Sequence, residues 1–202
     1  MSSQLPEIYG AEFPLINRYV DILASAGVER GLIGPREAER LWDRHILNST
    51  ALSGLIATNS TVADVGSGAG LPGVPLALVR RDLQVTLIEP LLRRSTFLTE
   101  TVEALDLGDR VKVVRSRAED HHHSYDAVVA RALAPLDRLI GWCNPLRADG
   151  GVILALKGQS ARAEVEAARR QLQAAGLDAE VLSVQAHSAV EPATVIRLSA
   201  GN

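Results

Sequence analysis

TVADVGSGAGLPG, residues 61–73, decides the fold of this chain. The apolar stretch Thr61–Val65 leads into glycines at positions 66, 68 and 70. Glycine has no Cβ and tolerates positive φ, so such a turn lets a ligand lie against bare backbone at the start of a helix. A second apolar stretch, Gln84–Ile88, ends at Glu89, where an acid can bind a ribose. The sequence therefore predicts a nucleoside cofactor site.

Composition favours an intracellular globular protein. The chain has 202 residues, 47% of them apolar, which is enough for one substantial α/β domain. Its single cysteine, Cys143, excludes an internal disulfide and favours a reducing compartment. The N-terminus lacks the pattern of a signal peptide, and no apolar run approaches the roughly 20 residues of a membrane span. We expect a cytoplasmic protein that does not associate with membranes.

The charge of the chain decides little about its partners. The formal net charge is −3, which is not typical of a nucleic-acid-binding protein. Lys112 and Lys157 are the only lysines, however, so arginine supplies almost all of the positive charge. Arginine binds phosphates in a forked geometry and stacks on bases, so a local patch could serve a nucleic-acid substrate. A compositional bias of the source genome explains the same preference equally well.

The pattern of apolar residues predicts a helical N-terminal cap, residues 1–58, followed by an α/β unit, residues 59–202. In the cap we predict a helix through Phe13–Leu23 that stops at Gly27, a second that begins at Gly34–Pro35, and a short third over 49–56. Alternating strands and helices then predict a mostly parallel seven-stranded sheet, covered on both faces, with an antiparallel final pair. The predicted strands are 61–65, 84–88, 111–115, 126–130, 151–156, 179–185 and 194–199, and the predicted helices 72–81, 91–106, 135–143 and 160–175.

The spacing of the glycines bears on the cofactor. A dinucleotide-binding turn needs a third glycine where this chain has Leu71, so an oxidoreductase is disfavoured. The spacing instead resembles the first motif of class I S-adenosylmethionine-dependent methyltransferases, in which the turn faces an amino-acid moiety. After the third strand, Glu119 or Asp120 could read an adenine amino group, and Arg131 ends the fourth strand at the expected place of the chemistry. A turn with no ligand and a nicotinamide or flavin site remain alternatives.

Four segments together are more specific than the turn. They are, in chain order, Trp42–Ser49, Asp64–Pro75, Ala130–Ala132 and Ala155–Gly158. The set resembles the glucose-inhibited division protein B family, the bacterial 16S ribosomal RNA guanine-N7 methyltransferases, over roughly residues 10–200. The resemblance implies a Rossmann-like class I methyltransferase fold and S-adenosylmethionine as the methyl donor. It also implies a guanine in a loop of 16S rRNA as the acceptor, presented by the small ribosomal subunit or an assembly intermediate; we expect the protein to act as a monomer.

The resemblance also assigns residues to the site. The positions implied for the cofactor are Gly66, Gly68, Gly70, Leu71, Glu89, Ala118, Glu119 and Arg131. For the RNA we expect contacts from Arg44, His45, Arg93, Arg94 and Lys157. On the residues alone, a histidine beside apolar neighbours, such as His45, is more often a structural group than a catalyst. Arg93 and Arg94 fit a solvated helix face equally well, and an ordinary strand-end lysine is the alternative for Lys157. The chain departs from the family pattern at Pro90-Leu91-Leu92, where we expect more polar neighbours of the acid.

The residues fit a direct methyl transfer to guanine N7. That atom carries an in-plane lone pair and no hydrogen, so no general base is required and positioning by Arg131 supplies most of the effect. No Asp-Pro-Pro-Tyr-like segment for an exocyclic amine follows the fourth strand, and Cys143, within a predicted helix, is expected to be buried rather than nucleophilic. We expect His121–His123 to be a solvent loop and predict no metal site. A methyltransferase for another RNA, a small molecule or a protein, and a non-catalytic ribosome-assembly factor, remain alternatives.

Overall fold

A single sheet organises the chain. The computed structural model describes residues 4–131 and 133–201. Across them the strands are β1 Thr61–Val65, β2 Gln84–Ile88, β3 Val111–Val114, β4 Tyr125–Arg131, β5 Arg147–Lys157, β6 Leu177–Val184 and β7 Ala193–Ala200. They pair in the order β3-β2-β1-β4-β5-β7-β6. Strands β1 to β5 are parallel and the final pair, β6 and β7, is antiparallel, as predicted; β7 also runs antiparallel to β5, which the sequence did not predict.

The helices between the strands follow the predicted order with one difference. The predicted helix over 160–175 is interrupted at Ala168, whose φ of −89° and ψ of 8° break the helical repeat. None of the helices in the described ranges has the length and apolar character of a membrane span. Numbered after four helices of the cap, which are described below, the helices of this part are α5 Gly73–Val79, α6 Leu92–Ala104, α7 Leu136–Cys143, α8 Ala161–Ala167 and α9 Arg169–Ala174.

The N-terminal cap is helical but less regular than predicted. Two segments, Leu23–Gly27 and Leu41–Ile46, are wound as π-helix, and 3₁₀ turns cover Gly10–Glu12 and Ala51–Leu55. A π turn holds one residue more than an α turn, so it shifts which side chains face inward, and such turns occur often at functional sites. The predicted third helix is thereby split between an α turn and a 3₁₀ turn. The α-helical parts are α1 Leu5–Tyr9, α2 Phe13–Ile22, α3 Pro35–Ala38 and α4 Leu47–Thr50.

The cap shares its core with the sheet. Tyr19, Leu23 and Ile46 are buried in one apolar cluster with Val74 of α5 and Leu87 of β2. The opposite face of the sheet has its own cluster, under α7 to α9. Burial of such a shared apolar surface is the main force that holds the cap on the sheet. The division at residues 58 and 59 stays a prediction about the sequence, since the described residues on either side pack into one core.

The strand order fixes where a ligand can bind. The chain leaves β1 toward β2 on one side and returns to β4 on the other, so a crevice opens at the carboxyl ends of these neighbouring strands. The segments that follow β1, β2 and β3, together with the last residues of β4 and β5, all lie at that edge. Every predicted cofactor residue belongs to one of them.

Candidate active site

The glycine turn after β1 is held in a conformation that larger residues resist. Gly66, Gly68 and Gly70 have φ values of 71°, 58° and 95°, a region that L side chains rarely adopt. A Cβ on Gly70 would lie 2.7 Å from Val74 Cγ2 and 3.0 Å from the Tyr19 hydroxyl. The backbone N–H of Gly66 donates to the Ile88 carbonyl at 2.9 Å, which fixes the turn to the end of β2. The turn is therefore a rigid backbone surface at the edge of the sheet.

Asp64 is the buried support of this turn. One carboxylate oxygen, Oδ2, accepts a hydrogen bond from the Gly73 N–H at 2.9 Å, while Oδ1 has no partner. A Cβ on Gly73 would lie 2.7 Å from Oδ2, so a glycine there allows α5 to begin directly against the acid. Burial, with a smaller contribution from the charge of Glu89, raises the pKa of Asp64 to about 7. Gly73, the last residue of the Leu-Pro-Gly continuation of the turn, thus has a structural reason.

Glu89 joins the turn to the loop that follows β2. Its side chain is 2% exposed; Oε2 accepts from the Gly68 N–H and Oε1 from the Leu91 N–H, each at 3.0 Å. A carboxylate has about four lone-pair positions, so two acceptor positions remain after these bonds. Arg94 Nη1 lies 4.0 Å from Oε2, on the outer side. The free acceptors suit two neighbouring hydroxyl groups, such as those of a ribose.

On one side of the turn lies a cavity of about 220 Å³, which we call the base cavity. Ala118 and Glu119 line it as predicted, whereas Asp120 does not. Leu91 is 54% and Leu92 61% exposed, so the departure from the family pattern places an apolar rim beside the cavity without displacing Glu89. Mostly apolar walls with few polar groups are typical of a site for a flat ring. Its lining residues include Val65, Gly66, Ile88, Pro90, Leu91, Leu133 and Trp142.

On the other side of the turn lies a cavity of about 230 Å³, which we call the turn cavity. Gly66 lines both this cavity and the base cavity, so the two meet at the first glycine. Leu71, predicted to contact the cofactor, is buried and lines the turn cavity. Arg94 and Arg131 bring positive charge to its wall, and His45 of the cap also lines it.

Arg131 at the end of β4 is held by the cap. Its Nη2 donates to Nδ1 of His45, and its Nη1 is buried without a partner. His45 Nε2 lies 2.8 Å from Glu37 Oε2. Burial, with the adjacent Arg131 charge, lowers the pKa of His45 to about 4, so the imidazole is neutral near pH 7. Burial also lowers the pKa of Arg131. Ala132, the next residue of the Ala130–Ala132 segment, lies outside the described residues.

Beyond Arg131 opens a cavity of about 730 Å³, which we call the acceptor cleft. Arg131 lines both this cleft and the turn cavity, so this residue stands at their junction. Lys157 lies in the cleft wall, but its side chain is only 9% exposed, 2.7 Å from Glu164 Oε2 and 2.6 Å from the Ala134 carbonyl. Its charge is therefore already paired, and its phosphate contact stays a prediction.

The remaining arginines predicted for RNA are distributed around these cavities. Arg44 lines the acceptor cleft, with Nη1 3.3 Å from Glu37 Oε1, in a pair that is open to solvent. Arg94 lines the turn cavity, whereas Arg93 is exposed on α6 and lines none of the three cavities. Exposed pairs of this kind contribute little to stability, so Arg44 can exchange its partner for a phosphate at small cost.

The histidine run and the cysteine are not part of the site. His121 Nε2 lies 2.7 Å from the Tyr125 hydroxyl, and the rings of His121 and His123 are 5.0 Å apart. Within residues 4–131 and 133–201, no group of three or more metal-ligating side chains is arranged to hold an ion. Cys143 is fully buried at the end of α7, and burial raises its pKa to about 12, which excludes a thiolate nucleophile near neutral pH.

Tyr19 is a residue of the site that the sequence did not single out. It is fully buried on α2, and its hydroxyl donates to the Ala69 carbonyl, within the glycine turn, at 2.8 Å. The helical spacing of its neighbours predicts that the ring faces the core. The hydrogen bond of the hydroxyl could not be predicted, because its acceptor is 50 residues away and the sequence around Tyr19 carries no sign of it. Tyr19 thus ties the cap directly to the turn.

We expect Tyr19→Phe to lower the free energy of unfolding by about 1 to 3 kcal/mol, because the Ala69 carbonyl loses a buried donor. Tyr9→Phe is the matched control, because the Tyr9 hydroxyl bonds Thr50 Oγ1 at 2.9 Å. The Thr50 hydroxyl also donates to the Leu47 carbonyl and keeps that bond in the variant, so the expected loss of unfolding free energy is smaller. Urea unfolding of the three proteins measures both effects. Equal losses in the two variants would contradict the role of Tyr19 at the turn.

Comparison with known sequences places the chain among rRNA methyltransferases. A family model described as GidB, rRNA small subunit methyltransferase G, matches residues 12–193. The rRNA small subunit methyltransferase G of Mycobacterium sp. (strain JLS) is 52% identical over 195 residues, which cover 94% of this chain and 86% of the relative. The protein of the same name from Thermobifida fusca (strain YX) is 55% identical over 168 residues, covering 82% and 70%. That from Streptomyces avermitilis is 51% identical over 203 residues, covering 98% and 84%.

Solved structures agree on the fold. Precorrin-6y C5,15-methyltransferase from Geobacter metallireducens GS-15 has a TM-score of 0.56 at 14% identity, over 85% of this chain and 91% of that one. An O-methyltransferase of neocarzinostatin biosynthesis, solved in complex with S-adenosylmethionine, has a TM-score of 0.65 at 16% identity, over 96% and 63%. At these identities the likeness concerns the fold alone. It confirms the predicted α/β methyltransferase fold with its mostly parallel seven-stranded sheet.

Proposed function

This chain belongs to the rRNA small subunit methyltransferase G family, and we propose that it transfers a methyl group from S-adenosylmethionine to N7 of a guanine in 16S ribosomal RNA. One observation carries the assignment of the site. Arg131 lines both the turn cavity and the acceptor cleft, and its Nη1 is buried without a hydrogen-bond partner. A planar donor at that junction can hold an acceptor base against a donor bound along the glycine turn.

The residues present fit S-adenosylmethionine. Glu89 keeps two acceptor positions for the ribose hydroxyls, and the base cavity, with Ala118 and Glu119, suits adenine. The turn cavity, walled by the glycine turn and Leu71, suits the methionine part. When bound, the cofactor supplies a methyl group made electrophilic by its sulfonium. We therefore assign Gly66, Gly68, Gly70, Leu71, Glu89, Ala118, Glu119 and Arg131 to cofactor binding.

The side chains at the junction serve positioning rather than proton transfer. Guanine N7 has no hydrogen, so methyl transfer to it needs no base. His45 is the nearest candidate for a base, but both of its ring nitrogens are occupied, Nδ1 by Arg131 and Nε2 by Glu37. The free Nη1 of Arg131 can donate to guanine O6, which lies beside N7 on the same edge of the base. Arg131 then orients the N7 lone pair toward the methyl group.

The RNA partner follows from the family and from the charges around the acceptor cleft. We propose that Arg44, Arg93, Arg94 and Lys157 contact the RNA beyond the target base. His45, predicted from the sequence to contact the RNA, is instead buried with both ring nitrogens bonded to Glu37 and Arg131, so it can affect the RNA only through Arg131. Arg131 and Arg44 line the cleft, and Lys157 reaches the RNA only by leaving Glu164. We further propose that the substrate is the small ribosomal subunit or an assembly intermediate, and that the enzyme acts as a monomer in the cytoplasm.

A methylation assay on ribosomal subunits tests this function. The protein is incubated with radiolabelled S-adenosylmethionine and small subunits from a strain that lacks the enzyme, and modified guanines in 16S rRNA are mapped by cleavage at N7-methylguanine. We expect label at one guanine. Subunits from the parental strain, already modified, are the matched control and should take up no label.

The other outcomes separate the alternatives. Binding of S-adenosylmethionine without transfer to any subunit indicates a non-catalytic assembly factor. Label in another RNA, a peptide or a free metabolite, with none in 16S rRNA, indicates a methyltransferase of different specificity. Either outcome overturns the proposed function. A parallel incubation with naked 16S rRNA shows which form of the acceptor is recognised.

A further inference from the structure

We propose that Glu37 and His45 are positioning residues for methyl transfer: together they fix the Arg131 guanidinium through Nη2 and so leave Nη1 free for the acceptor base. This inference rests on the proposed function. The three side chains form a continuous series from the cap to the end of β4, Glu37 to His45 at 2.8 Å and His45 to Arg131 through Nδ1. Glu37 and His45 are 8 positions apart in the cap, whereas Arg131 is 86 positions from His45.

The kind of partner that Arg131 has decides whether one of its outer nitrogens stays free for the acceptor base. A carboxylate would bind a guanidinium through two parallel hydrogen bonds and occupy both of its outer nitrogens. Among the ion pairs of the described residues, none includes Arg131. His45 offers a single acceptor, which holds Nη2 and leaves Nη1 buried without a partner. An unpartnered buried donor is costly unless a ligand satisfies it, so its retention here points to the acceptor.

Glu37 determines which ring nitrogen of His45 accepts the hydrogen bond from Arg131. Because Nδ1 accepts from Arg131, the single proton of the neutral ring must be on Nε2, from which it is donated to Glu37 Oε2. The carboxylate therefore holds both the ring orientation and its tautomer. Arg44 Nη1 lies 3.3 Å from the other oxygen, Glu37 Oε1, in a solvent-exposed pair that the arrangement does not require.

The arrangement makes the cap part of the catalytic geometry. Glu37 belongs to α3 and His45 to the π turn Leu41–Ile46, whereas Arg131 belongs to the sheet. Any movement of these cap segments moves the guanidinium that orients the base. A displacement of about 1 Å at such a group can cost 100-fold in rate.

Two substitutions of His45 separate positioning from a general structural role. In His45→Asn the amide oxygen can take the place of Nδ1 and still accept from Arg131. In His45→Gln the longer amide reaches the position of Nε2 and Glu37 but leaves Arg131 without its acceptor. We expect His45→Gln to lower kcat on small subunits by about 100-fold and His45→Asn by less than about tenfold. The Tm should be alike in the two variants, so that the difference in kcat reports the loss of the acceptor for Arg131 and not a difference in folding.

Glu37 has its own matched pair. Glu37→Gln keeps an oxygen that accepts from Nε2, so we expect kcat within about threefold of the wild type, whereas Glu37→Met removes the anchor and should lower kcat about tenfold. Nitrogen NMR of the imidazole tests the tautomer without any activity: the proposal requires the proton on Nε2, and a proton on Nδ1 overturns it.

The failure of this inference is distinguishable from that of the proposed function. A wild-type protein that does not methylate small subunits defeats the function itself. A methylating wild type with equal kcat in His45→Asn and His45→Gln, whether both normal or both low, overturns the positioning role. Loss of kcat that merely parallels a loss of Tm overturns it as well.

Discussion

Arg131→Met is expected to lower kcat for methyl transfer to small ribosomal subunits by at least about 100-fold. Methionine keeps much of the length of the side chain but has no donor, so the acceptor base loses the group at the junction of the turn cavity and the acceptor cleft. Arg131 is a buried cation without a carboxylate partner, so its removal should not lower the free energy of unfolding. Single-turnover kinetics and urea unfolding measure the two effects separately.

Two further variants define what Arg131 contributes. Arg131→Lys keeps the charge but loses the planar fork, so one ammonium must serve both His45 and the acceptor; we expect it to recover less than about a tenth of the wild-type kcat. Arg170→Met changes an exposed arginine of α9 that lines none of the three cavities, and it should leave kcat unchanged. Normal turnover by Arg131→Met would contradict the assignment of this residue.

Much of the fold could be predicted because its signals are local. The runs at 61–65 and 84–88 are strands with the predicted bounds, since short apolar stretches bounded by turn residues are typical of buried parallel strands. Strand β5 begins earlier than the predicted residue 151, at Arg147, because pairing with Tyr125 continues across a register shift. The intervening Gly150 and Gly151 predict a turn, and only the neighbouring strand reveals that the sheet continues.

Some residues of the candidate site could be predicted from local sequence signals, and others could not. Gly66, Glu89 and Arg131 could be predicted because each follows or ends a strand, and parallel strands bring their carboxyl ends to one edge. Tyr19 and Glu37 could not, because their roles depend on contacts with the turn and with His45 that only the folded cap creates. The π turn around His45 is likewise a product of tertiary packing, since helical periodicity predicts a regular helix there.

Glu89→Ala is expected to raise the Kd for S-adenosylmethionine by at least about 100-fold. The carboxylate offers two free acceptor positions to the ribose, and hydrogen bonds to a charged group contribute about 1.5 to 3 kcal/mol each. The same substitution removes the bonds that hold the Gly68 and Leu91 N–H groups, so the turn loses its link to the loop after β2. Isothermal titration calorimetry measures the affinity directly.

Conservative changes at Glu89 separate charge from shape. Glu89→Gln keeps one acceptor oxygen but turns an NH₂ group toward one of the two backbone donors, so we expect it to bind S-adenosylmethionine almost as weakly as Glu89→Ala. Glu89→Asp keeps both oxygens on a stem one methylene shorter and should retain most of the affinity. Glu103→Gln, an exposed acid of α6 away from the cavities, is the matched control and should bind as the wild type does. If Glu89→Gln bound normally, the ionised carboxylate would not be the ribose ligand, and the free acceptors would serve only the turn.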